Sequence, residues 1–88
     1  MHNPEINARQ ARTAHNELTD RFEHVRALDW PLTARDAQTL IGLVRGSLAT
    51  AEQYLDDGEF AAAHQAVTVG NSACDTLRAL HTLETMEV

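Results

Sequence analysis

The 88-residue chain is 43% hydrophobic and 23% charged, holds one cysteine and carries a net charge of −6. That length makes a single helical domain, 1–88, which buries only about 60% of the surface its unfolded form exposes, so a second chain would supply burial the monomer lacks. The acidic balance excludes direct nucleic-acid binding, which depends on cations displacing counterions from phosphates. Cys74 on its own excludes an internal disulfide.

No apolar run approaches the 18 or so residues needed to span a bilayer. The opening Met1-His2-Asn3-Pro4 lacks the charged-then-apolar profile of a secretory leader, so a cytoplasmic protein is expected. The negative charge is graded along the chain. Residues 1–30 hold four Arg against five acids, residues 31–58 two against four, and residues 59–88 one against four.

Two breaks, Asp29-Trp30-Pro31-Leu32 and Asp56-Asp57-Gly58, divide the chain into three stretches of helical periodicity. The first predicts a helix near 4–29, with Pro4 at its first position and Asn3 as its cap. Ala11, Ala14, Leu18, Phe22, Val25 and Leu28 form its stripe at steps of three and four. Glu5–Arg9 and Glu17–Arg21 are i,i+4 pairs in the favourable order on the outer face. Before Leu18 only Ile6 is bulky, so the first turns are the weak part of this helix.

Pro31 disfavours helical geometry at Trp30 and ends that segment. Thr33-Ala34-Arg35-Asp36 then has the form of a capping box, with Leu32 and Ala37 placed for a hydrophobic staple. The second helix, near 34–57, puts Ala37, Leu40, Ile41, Val44, Leu48, Ala51 and Leu55 on one face. Thr39, Gly42, Gly46, Ala49 and Gln53 lie roughly opposite. Two interior glycines weaken a helix by about 1 kcal/mol each; either they are neutral changes on an exposed surface, or their spacing of four lets another helix pack at close range.

Gly58 is a natural left-handed stop, with Asp57 or Glu59 able to cap the next helix. Tyr54 to Ala63 resembles the corner of a tetratricopeptide repeat hairpin, over those ten residues and without a second copy. The third helix, near 59–85, shows two adjacent seams. One is Phe60, Ala63, Val67, Gly70, Cys74, Leu77 and His81; the other is Ala66, Val69, Ala73, Thr76, Leu80 and Leu83. Two seams side by side suit a helix lodged between two others. The fold expected is all-α, an antiparallel three-helix up-down-up bundle.

Leu32 to Gly46 resembles the opening of the helix-turn-helix in LuxR-type response regulators. That resemblance implies a following helix that reads DNA with Arg or Lys, yet neither residue stands between Arg45 and Arg78. Arg9 and His15 fit the loose Arg-to-His spacing of HEPN-type ribonucleases, over two residues only.

The five histidines invite a metal reading. Cys74 and His81, however, are about 10.5 Å apart along a helix, too far for one zinc with bonds near 2.0–2.3 Å. His15, His24 and His64 fall on or near polar faces. Ser47 and Ser72 have no nucleophile-elbow context. No enzyme activity, cofactor or metal is expected.

The expected function is a small regulator or adaptor that binds another protein or a second copy of itself, as a homodimer, through helix faces. Its candidate contacts are Thr39, Gly42, Gly46 and Ala49, with Arg9 and Arg12 on the polar first half of helix one. An alternative is an acidic inhibitor that covers a basic surface on another protein through Asp56, Asp57, Glu59 and Asp75.

Overall fold

Asn7 opens the first helix. Its Oδ1 accepts from the Gln10 amide at 2.8 Å, and the Gln10 Oε1 accepts from the Asn7 amide at 3.1 Å. This reciprocal cap satisfies two donors that would otherwise be orphaned, so α1 runs Ala8–Arg26 and not from Pro4. The computed structural model describes residues 6–28, 30 and 35–86; Asn3, Glu5, Leu32 and Thr33, with the caps, pair and staple expected of them, lie outside these residues.

At the other end of α1, Ala27 donates to the Glu23 carbonyl and Leu28 to that of Val25. The Trp30 indole Nε1 donates to the same Val25 carbonyl at 3.1 Å. Trp30 thus closes the helix it follows, and its ring meets His81 edge-on with centroids 5.0 Å apart. His81 is accordingly half-buried under an aromatic ring.

The second helix, α2, spans Arg35–Asp56, and the third, α3, spans Phe60–Thr85. Gly58 joins them with φ 78°. Its amide donates to Leu55 and that of Glu59 to Tyr54, the paired bonds that finish a helix on a left-handed residue. Glu59 occupies the cap position of α3, but its carboxylate makes no capping bond. The three helices form the antiparallel bundle expected, with no strand among the described residues.

Ala11, Leu18, Phe22 and Val25 of α1 are buried against Ala37, Ile41, Val44, Ala51 and Leu55 of α2 and Ala63, Val67, Cys74 and Leu77 of α3. Ile6, Tyr54 and Phe60 pack on Ala11, Leu55 and Ala63 at the corner end, which gives the weakly apolar start of α1 its partner. The α2–α3 contact is the most extensive and α1–α2 the least.

Only the first of the two seams on α3 is used in full. Of the second, Ala73 is buried and Ala66 and Leu80 are half-buried, while Val69, Thr76 and Leu83 are exposed. In a three-helix bundle one stripe meets both neighbours at once, so the second seam has no third helix to meet.

Gly70 of α3 lies tightly against both neighbouring helices. A methyl group added there would stand 2.5 Å from a Leu18 methyl and 3.3 Å from the Ser47 Cβ. Leu18 is completely buried, so it has little room to turn away. We expect Gly70→Ala to lower stability by about 1 kcal/mol, overpacking outweighing the gain in helix propensity. Urea denaturation checks it; an unchanged midpoint would mean that Leu18 can repack.

Candidate functional site

Thr39, Gly42, Leu43, Gly46, Ala49, Thr50 and Gln53 recur at helical spacing on the solvent side of α2, and all are exposed. On α3 the adjoining side carries Ala62, Gln65, Ala66, Val69, Ser72, Thr76, Ala79, Leu80 and Leu83. None of these sixteen positions is charged, and the exposed Arg35, one turn before Thr39, marks the end of the neutral stripe on α2.

A groove of about 360 Å³ runs along this face. Gly42, Gly46, Ser47 and Thr50 line it from α2, and Ala66 and Val69 from α3, with Leu43 at its rim. Nothing lies within 4 Å of a Cβ built on Gly42 or Gly46. Leu43 and Val69 stand beside these hollows 48% and 49% exposed. Neither glycine is required by packing inside the chain, in contrast to Gly70.

The remaining candidates fall elsewhere. Arg9 lines a separate groove of about 450 Å³ between α1 and α3, with Ile6, Thr13, Glu17 and His64; Arg12 is exposed on the same half of α1. Asp56, Asp57 and Glu59 are exposed at the α2–α3 corner, the same end of the bundle. Asp75 lies toward the other end of α3.

The partner of Asp75 corrects one sequence expectation. Arg21 does not stay with Glu17 on the α1 surface; its guanidinium reaches α3, pairs with Asp75 and donates to the Asn71 Oδ1 at 3.0 Å. The i,i+4 rule predicts pairs within a helix and is blind to a carboxylate on a neighbour. The spacing of Asn71, Asp75 and Arg78 along one side of α3 was the available signal.

His15 also departs from the polar-face reading. Its Nε2 lies 3.3 Å from the Leu48 carbonyl, which can only accept, so Nε2 carries the proton. The other ring nitrogen is buried without a hydrogen-bond partner. His15 therefore belongs to the α1–α2 contact. No group of three or more His, Cys, Asp or Glu side chains among the described residues is placed to hold a metal ion, and no helix there is long and apolar enough to cross a membrane.

Cys74 is completely buried in the α3 seam. Burial pushes its thiol above the ordinary value; the Arg21 guanidinium opposes that rise and Asp75 adds to it. The protonated thiol is a poor nucleophile.

No family model, curated protein or solved structure matches the chain.

Gly42→Ala and Gly46→Ala are each expected to raise monomer stability by about 1 kcal/mol, since alanine restores helix propensity and meets no neighbour. Thermal unfolding at low protein concentration reads this out, and a loss of stability would mean the sites are not open. Cys74 is expected to resist iodoacetamide in the folded protein and react on unfolding. Because folding raises its pKa, the stability linked to it is intact below the ordinary thiol value of about 8.5 and falls as pH rises toward and through the folded value. Cys74→Ala should flatten that alkaline decline.

Proposed function

We propose that the chain is a small, non-catalytic protein–protein interaction module, a regulator or adaptor, that self-associates by docking a second copy on its uncharged α2–α3 face. One observation carries this reading: knobs (Leu43 and Val69) and hollows (Gly42 and Gly46) lie together on a single face that holds no charge from Thr39 to Gln53 of α2, with Arg35 at its end. A two-fold dimer presents the same patch from both subunits, so a face that supplies both knob and hollow is complementary to itself.

Charge favours this occupant. Two copies of a −6 chain repel wherever acids face each other, and this side lets them meet without doing so. Area favours it as well. Two helices packed 8–10 Å apart over roughly 30 Å of length present about 600 Å². Twice that, about 1,200 Å², is the lower end of specific interfaces, which suits a reversible dimer with a Kd on the order of micromolar.

The buried, protonated Cys74 thiol supports a non-catalytic role, and a reducing, cytoplasmic setting suits a free cysteine. The acidic-inhibitor alternative has weaker support, because the Asp75 carboxylate is already engaged by Arg21. That leaves Asp56, Asp57 and Glu59 at the corner as its contacts.

Light scattering after size exclusion tests the dimer. The mass is expected to rise from 9.7 kDa toward twice that value between micromolar and millimolar concentration, with little dependence on salt. Leu43→Glu and Val69→Glu should each hold the protein monomeric while leaving helical content unchanged. A constant 9.7 kDa across the range overturns the reading. Steep salt dependence of binding to another protein would favour the acidic alternative instead, since exposed charges are screened over about 8–10 Å.

A further inference from the structure

On the opposite side of α3, at the α1–α3 junction, lies a cavity of about 380 Å³. Arg21, His24 and Val25 line it from α1, Leu28 from just beyond the end of that helix, and Arg78 from α3. No acid lines it among the described residues, although Asp75 is paired with Arg21 at its edge. Arg78 is the only arginine after Arg45 in a chain without lysine, and this cavity brings it together with Arg21 and His24.

The arginines are prepared differently. Arg21 has five N–H donors. Contacts to the Asn71 carbonyl, the Asn71 Oδ1 and Asp75 use three of them, which holds the guanidinium in place and leaves two uncommitted. Arg78 is exposed, and its side chain has no polar partner among the described residues. Helix-end electrostatics explain His24 and Arg26, which stand in the last turn of α1. They do not explain Arg21 or Arg78, which lie outside the last turns of their helices.

Val25 and Leu28 add an apolar wall beside these cations. A concave site with cations against low-dielectric walls concentrates positive potential; acids more than about 8 Å away are screened, while Asp75, in contact with Arg21, offsets part of that charge and leaves Arg78, among the described residues, as the uncompensated cation. The His24 Nδ1 lies 2.8 Å from the Asp20 carbonyl, so it carries the proton and directs the imidazole by that bond.

We propose that this cavity binds a small organic oxyanion, a carboxylate or phosphate group carried on a short apolar body. The head group takes the free donors of Arg21 and Arg78, for which planar guanidinium forks are suited, and the body lies against Val25 and Leu28. The volume falls at the low end of small-molecule sites. This proposal is independent of self-association, because α3 presents Ala66 and Val69 to the other groove and Arg78 to this one.

Titration of the protein at monomeric concentration, followed by amide chemical shifts, tests the proposal with octanoate, octyl phosphate, octanol and inorganic phosphate as probes. Octanoate or octyl phosphate should shift the resonances of residues 21–28 and 71–78, and the tighter of the two identifies the preferred head group. Octanol and inorganic phosphate should each bind about tenfold more weakly or not at all. Arg78→Gln, which breaks no polar contact among the described residues and keeps much of the aliphatic stem, should weaken the anionic probe about tenfold with unchanged thermal unfolding. Asp75→Asn should tighten it, because Arg21 is then no longer neutralised. Octanol binding as well as octanoate, inorganic phosphate as well as octyl phosphate (an adventitious ion only), or an Arg78→Gln variant that binds the anions normally would each overturn the proposal.

Discussion

The close passage of α3 at Gly70 sets the geometry of the whole bundle. Leu18 of α1 and Ser47 of α2 both stand against the one position on α3 that has no side chain. Because α1 and α2 touch each other least, they are held together mainly through α3. Small residues above and below Gly70, Ala63, Ala73 and Cys74, keep the three axes near one another, and the larger Leu77 and Val67 fill the space between them. Close packing of small side chains buries limited apolar area per residue, so the bundle is thin in core and generous in surface. The same constraint explains why one stripe of α3 serves two neighbours and the other is left outward.

Most of the architecture was legible in the sequence because its signals are strong and local. Gly58 takes the left-handed geometry expected of a helix stop, and the apolar stripes of α1 and α2 are the buried ones. Two local signals misled. Pro4 is compatible with a helix start, yet Asn7 with Gln10 caps two donors at once and defines the first turn. The second seam on α3 reads as a contact surface, but periodicity reports only that a face is able to pack, never whether a partner exists within the chain.

The interaction candidates were legible to a different degree. The Gly42 and Gly46 side of α2 is visible from helical spacing alone, and the structure adds that α3 extends the same side through the exposed Val69 and Thr76. The contacts of Arg21 and His15 were not legible, because what each meets is on another helix. Arg21 sits fifty-four residues from Asp75 and His15 thirty-three from Leu48, and no pattern within one helix encodes such a pairing. Charge alone therefore groups Asp75 with the corner acids, although it lies toward the far end of α3 and its carboxylate is occupied.

The distribution of charge around α3 separates two kinds of surface. Toward α2 the exposed positions from Ala62 to Leu83 are apolar or neutral; toward α1, Asp75 and Arg78 share the side that faces Arg21 and His24. Such segregation has no value for the stability of an isolated bundle. An exposed ion pair contributes little, and an open glycine in a helix subtracts about 1 kcal/mol from a total that for domains of this kind is only about 5–15 kcal/mol. The monomer would be more stable with alanine at Gly42 and Gly46 and with charge spread over both sides. Features that lower the stability of the lone chain are gathered on one face, where Leu43 and Val69 stand beside open, neutral hollows; the self-association proposed above is the reading that would give them a use.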